Sequence, residues 1–132
     1  MTPVSLSKVE APIRAVIHML AGFNNHDAQT LSETLAETVS LYCHLPLPDN
    51  VNSYGIAEVV GYFDALFNNW PEIRLEVEDL FGMGNRSVLR WKTACGQDSS
   101  GQKWIRGVAI FTLINDSVSE MHIYSSLHAS TA

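Results

Sequence analysis

Two changes of periodicity predict an α+β fold for this chain. Apolar residues recur at helical spacing over residues 9–20 and again over 56–70, whereas from Val39, and then from Ile73 onward, they alternate with polar ones. Helices therefore gather in the first half and long strands in the second, which is the segregated order of an α+β domain and not the repeating strand–helix order of a parallel sheet. With 132 residues, 46% of them hydrophobic, the chain fits one domain with a sizeable core.

The first stripe, Val9, Ile13, Val16, Ile17 and Leu20, has the i, i+4, i+7, i+8, i+11 spacing of an amphipathic helix that reaches about Asn24. Ser7 and Glu10 have capping-box spacing, yet Pro12 would then fall just past the first turn, where its missing N–H is costly, so the start moves toward Glu10. The string FNNHDAQTL reads as a tight corner and a short helix capped by His26 or Asp27, with Leu31 and Leu35 inward. Val39, Leu41, Cys43 and Leu45 then alternate with Ser40, Tyr42 and His44, a strand with two distinct faces that Pro46 and Pro48 end. LPLPDNVNSYG is the longest irregular stretch. It leads into the strongest helical stripe, Ile56, Val59, Val60, Phe63, Leu66, Phe67 and Trp70, with Ser53 expected as its N-cap and Pro71 as its stop.

The remainder reads as sheet. Ile73, Leu75 and Val77 alternate with charges, GMGN is a turn, and SVLRWKTAC, WIRGVAIFTLI and VSEMHIYSS are strands separated by the polar turns DSSGQ and NDS. One domain spans 1–132, with its core over 8–126 and a tail over 127–132.

Eight Lys and Arg against 14 Asp and Glu give a net charge of −6, so no excess of cations is present to track nucleic-acid phosphates. The most apolar early segment, residues 15–23, contains His18 and is amphipathic, so neither a leader, a membrane span nor membrane binding is expected, and the cytoplasm is the expected compartment. Cys43 and Cys95 are expected as buried thiols and not as a bridge. No HxxxH, HExxH or CxxC spacing suggests a metal, and GMGN is too short and too strand-bound to cradle a phosphate, so no cofactor is implied.

The order helix, helix, strand, helix and four antiparallel strands resembles the SnoaL-like branch of the cystatin-like, nuclear-transport-factor-2-like superfamily. The strings FNNHD, YGIAEVVGYFDALFNNWPEIRLEVEDL, GNRSVLRWKTACG and GVAIFTLINDSVSEMHIY look like that family's first corner, third helix, W-bearing strand and final hairpin. The resemblance spans about residues 9–126. It implies three helices packed on a strongly curved, mixed or antiparallel sheet that forms a cone, a cavity at the open end, and a homodimer through the outer sheet face. Such a fold hosts enzymes, binding modules and assembly domains alike, so the fold alone fixes no function.

By the same resemblance, the acid/base His and Asp of SnoaL-type polyketide cyclases fall on Ala109 and Ile123, which cannot move a proton. The general base and oxyanion-donating Tyr of ketosteroid isomerases fall on Cys43 and about Met19. Limonene epoxide hydrolases need an Asp-Arg-Asp set. Arg106 lies in the right region, but its partners fall on Val108 and Ile123. The alternating positions that would face the cavity are Leu41, Cys43, Trp91, Ala109, Phe111, Met121 and Ile123. Met19, Tyr62, Phe63 and Phe67 join them from the helices. This is an apolar lining suited to an apolar small-molecule ligand.

Two other functions stay open. One is a cyclase, isomerase or hydrolase of a polyketide, steroid or terpene-like substrate with relocated groups: Asp79, turned inward at a bulge in EDLFGMG, as acid/base, with Tyr42, His44 or Tyr62. Adjacent Cys43 and His44 point to opposite faces of their strand and cannot form a dyad directly. The other is an assembly module working through its outer sheet face, where Arg106 and His122 are expected with Val108, Ile110 and Tyr124, and Arg106 is expected to pair with Glu120. Trp70 and Trp104 read as core or dimer anchors, Cys95 as a small filler, and His18, His26 and His128 as residues without a catalytic role.

Overall fold

The computed structural model describes residues 11–44, 51–126 and 130–131. Ser7, Val9, Glu10, Leu45, Pro46, Pro48 and His128, invoked above, lie outside them. Three helices, α1 (Ala11–Asn24), α2 (Ala28–Thr34) and α3 (Ile56–Asn69), pack into the curl of one mixed sheet. Its strands are β1 (Leu35–His44), β2 (Val51–Tyr54), β3 (Glu76–Met83), β4 (Arg86–Asp98), β5 (Gly101–Ile114), β6 (Ser117–Ser125) and β7 (Ser130–Thr131). The order across the sheet is β2-β1-β6-β5-β4-β3, with β7 beside β5. β1 and β6 run parallel; the other pairs are antiparallel.

In α1, Val16, Met19 and Phe23 are buried, and Pro12 sits in the first turn, where a helix has no acceptor for its N–H. The corner after it is built from side chains. Asn24 donates from Nδ2 to the Leu75 carbonyl (3.0 Å) and accepts from the Leu75 N–H (2.8 Å), imitating a strand partner. His26, at φ 52°, donates from Nε2 to the Ile73 carbonyl (2.8 Å) and stacks on Phe67 at 4.4 Å. Of the two expected caps Asp27 is the one used. It accepts from the Thr30 hydroxyl (2.7 Å) and from the N–H groups of Thr30 and Gln29, and these bonds hold its carboxyl below the usual range.

Five boundaries differ from expectation. α2 runs directly into β1, which begins at Leu35 and not Val39, with an irregularity between Leu35 and Ser40 against β6. Ser53 is not the cap of α3: it is buried in β2, paired to Leu41, and Gly55 at φ 85° caps the helix instead. β3 starts at Glu76 because the 73–75 segment bonds to the α1–α2 corner, and the turn of GMGN is confined to Gly84 and Asn85. In the expected tail, Ser130 and Thr131 pair with Trp104 and Lys103 of β5 beyond the end of β6.

Candidate functional site

Register places the inward side chains in rows that cross the sheet. One row carries Leu41, Met121, Phe111 and Ser87, and the next carries Cys43, Ile123, Ala109 and Leu89. Beyond these come Ser125, Gly107 and Trp91, and then Ile105 and Thr93. The rows close against α1 and α3 around a cavity of about 500 Å³, within the usual range of small-molecule sites.

Of the residues expected to face the cavity, Met19, Cys43, Tyr62, Phe63, Trp91, Ala109, Phe111, Met121 and Ile123 line it. Leu41 and Phe67 do not. Leu41 is fully buried, and Phe67 is occupied between Phe23 (5.1 Å) and His26. Sequence reasoning passed over the helical and loop wall, Val16, Leu20, Phe23, Leu31, Leu66, Trp70, Ile73 and Leu75, together with Leu89, Thr93, Ile105, Ser125 and Ser126. Strand parity was the available signal for Leu89 and Thr93, which lie two residues either side of Trp91.

One glycine shapes the wall. Gly107 lies opposite Trp91, and a Cβ there would land inside van der Waals contact of the Trp91 ring and the Tyr124 carbonyl oxygen. The strand therefore has no side chain where the indole lies against it.

Among the described residues that line the cavity none is charged. Its titratable members, Cys43 on β1 and Tyr62 on α3, influence one another. Burial raises the Cys43 thiol, an effect that the Tyr62 hydroxyl partly offsets. Burial, reinforced by Cys43, pushes the Tyr62 phenol well above the ordinary tyrosine range. Both groups are thus neutral near pH 7. The Thr93 hydroxyl is buried without a hydrogen-bond partner among the described residues.

Of the four residues advanced as relocated catalysts, Tyr62 lines the cavity, and Asp79, Tyr42 and His44 lie elsewhere. Asp79 is exposed and paired to Arg90: a bulge between Val77 and Asp79 does exist, but it leaves Asp79 on the outward parity of β3. Tyr42 and His44 face outward because inward parity belongs to Leu41 and Cys43. They join an aromatic band in which Tyr42 stacks on His122 (4.6 Å) and His44 stacks on Tyr124 (4.4 Å). His44 Nε2 is 3.2 Å from His122 Nδ1, and His122 Nε2 is 2.5 Å from Glu120 Oε1. Glu120 therefore serves His122. Arg106 bridges instead to Glu78 at 3.3 Å, because pairing of β3, β4 and β5 puts the acidic start of β3 across β4 from Arg106.

Trp104, outward on β5, carries Lys92 over its ring at 4.3 Å. Cys43 and Cys95 are both free thiols. Among the described residues, no group of three or more His, Cys, Asp or Glu could hold a metal ion, and no helix is long and apolar enough to cross a membrane.

A helix-filled, curled mixed sheet with an apolar cavity in its mouth is the cone of the cystatin-like, nuclear-transport-factor-2-like proteins. Residues 16–121 match the SnoaL-like domain, and the chain belongs to that family. Among solved structures it is similar to a candidate SnoaL-like polyketide cyclase from Jannaschia sp. CCS1, with TM-score 0.74 and 20% identity over 96% of this chain and 92% of that one. An NTF2-like protein of unknown function from Mesorhizobium loti superposes with TM-score 0.72 and 23% identity over 95% and 97% of the two chains. A candidate ketosteroid isomerase from Kribbella flavida DSM 17836 does so with TM-score 0.71 and 15% identity over 92% and 82%. No curated protein matches the sequence.

Proposed function

We propose that this SnoaL-like domain binds an apolar small molecule in its cone. The observation that carries the reading is the 500 Å³ cavity, whose described lining residues include no charged side chain. Ala109 and Ile123, neighbours across β5 and β6, stand where the resemblance puts an acid/base pair, so the row offers surface in place of proton transfer. Ring systems of the polyketide or steroid kind suit this volume, and two of the neighbouring folds carry names from that chemistry.

A thermal-shift screen of steroids, terpenes, aromatic polyketides and fatty acids tests the reading, because a ligand that binds only the native state raises its midpoint. A hit on the wild type that Ala109→Trp abolishes supports it. A hit that the plugged variant retains overturns it.

The same reading includes a homodimer. Val88, Ile110 and His122 form one outer row and Val108 and Tyr124 the next, with Tyr124 42% exposed and Phe81 at the β3 edge 49% exposed. A twofold contact covers such an apolar face. Sedimentation showing a monomer at micromolar concentration would remove this part of the proposal. The two free thiols fit work in a reducing compartment such as the cytoplasm.

A further inference from the structure

We infer that the outer sheet face mates with a second copy of this chain about a twofold axis lying along β5, so that Arg86 of each protomer meets Glu120 of the partner subunit. This inference rests on the homodimer reading and names the geometry which that reading leaves open. The strand registers lay the outward side chains in rows across β3, β4, β5, β6 and β1. One row runs Met83, Arg86, Thr112, Glu120 and Ser40. Another runs Asp79, Arg90, Val108, Tyr124 and His44. In each row the β5 residue is the centre, and the groups at equal distance on its two sides are complementary. Arg86 and Glu120 stand one strand either side of Thr112, and Arg90 and Tyr124 one strand either side of Val108. Asp79 and His44 stand two strands either side of Val108.

A twofold contact requires one patch that is complementary to itself. An axis along β5 lays each row on its own reverse, which brings carboxylate to guanidinium, guanidinium to an aromatic ring and imidazole to carboxylate, each of them twice. The row between, centred on Ile110, sets Phe81 against Tyr42 in the same way. Sheet shape agrees, because a twofold along a strand preserves the fixed hand of the twist and lets facing strands run together in an aligned packing. Within one copy these charges are largely uncommitted. Arg86 and Arg90 are exposed and make no salt bridge among the described residues, and Glu120 gives one carboxylate oxygen to His122. An axis between β5 and β6 would instead set Glu120 on Thr112, Arg86 on Ser40 and His44 on Arg90, which wastes the charges. On the β5 axis Arg106 meets its own copy, but its charge is already held by Glu78 at 3.3 Å.

Sedimentation velocity at micromolar concentration on the wild type, on Arg86→Glu, on Glu120→Arg and on an equimolar mixture of the two variants tests the axis. The wild type should be a dimer. Each single variant sets two like-charge pairs across the twofold, so its dimer should be at least about 100-fold weaker. Mixed, the two variants should form a one-to-one heterodimer with a Kd within about tenfold of the wild-type value, because a copy acidic at both positions then meets a copy basic at both. The double variant Arg86→Glu/Glu120→Arg restores both pairs within one chain and should dimerise as the wild type does. Loss of the fold cannot imitate this pattern, since a misfolded variant is not rescued by mixing. With a dimeric wild type, a single variant that stays dimeric, or monomers that fail to pair on mixing, overturns the axis and leaves the homodimer reading intact. A monomeric wild type removes the homodimer reading and this inference with it.

Discussion

Replacing Gly107 by alanine should cost more than any other single methyl added to the sheet. The new Cβ collides with the Trp91 ring and with the Tyr124 carbonyl oxygen, and the second of these belongs to a strand paired residue for residue with β5. A side chain can rotate away from a collision, but a paired carbonyl moves only if its ladder moves. Overpacking of a filled core costs about 1–3 kcal/mol, and with one backbone collision the upper end, about 3 kcal/mol, applies here. For a domain of this length about 3–5 °C of midpoint corresponds to each kcal/mol, so Tm should fall by about 9–15 °C. Urea unfolding in parallel should show a lower midpoint at unchanged slope, the mark of lost native stability. Trp91→Leu, destabilising alone, should be partly compensatory in the Gly107→Ala background, with a coupling of about 1 kcal/mol or more. A loss below about 1 kcal/mol for Gly107→Ala would refute the idea that the indole is seated on a bare strand.

Thr93→Val removes a buried hydroxyl that has no partner among the described residues, so it should raise stability by about 1 kcal/mol in urea unfolding, and any loss would contradict that account. The Asp27 cap has its folded pKa held below the ordinary 3.8, so its contribution is fully present above that value and is lost as pH falls through the lowered one. Asp27→Asn keeps a cap without the charge, and its stability, followed from pH 6 to 2, should fall less steeply than that of the wild type; parallel curves would count against the cap as the source. Cys43 is buried and raised by burial, whereas Cys95 is half-buried, so iodoacetamide at pH 8 should label Cys95 well before Cys43 when read by peptide mass, and comparable rates would mean the cavity is more open to water than its geometry shows.

Long stripes were legible in the sequence and short or shared segments were not. α1, α3 and the strands β4 to β6 follow from periods of 3.6 and 2 that hold over most of their length, with irregularities at Ala94/Gly96 and Thr112/Leu113. β2 is four residues of mixed polarity, and nothing local distinguishes it from a loop; it exists because β1 supplies an edge to pair with. Parity foretold which strand residues reach the cavity, since Cys43, Trp91, Ala109 and Ile123 hold inward register. The helical wall was less legible, because a buried helix residue such as Phe67 can face either the lumen or the α1–α2 corner, and packing decides between them. Asp79 shows a further limit: a bulge can be suspected from the string EDLFGMG, but which residue it releases depends on the partner strand, and here register with outward Arg90 leaves Asp79 outside.

The register also places Cys43, Ile123 and Ala109 together, the positions to which the resemblance assigns acid/base groups. Cys43, Ile123 and Ala109 are consecutive in one row, on strands separated by about 4.8 Å each, so three proton-moving side chains here would all reach one ring system in the lumen. These are also the positions to which the resemblance assigns such groups. In this chain the row presents a methyl, a branched alkyl and a thiol whose pKa is raised, so near neutral pH it neither takes nor gives a proton. Tyr62 stands opposite the thiol end, and it too is held protonated. On the proposed reading, a cavity of that composition recognises its ligand chiefly by shape and apolar contact. On that reading its selectivity turns on fit and on how little charge a ligand carries inward.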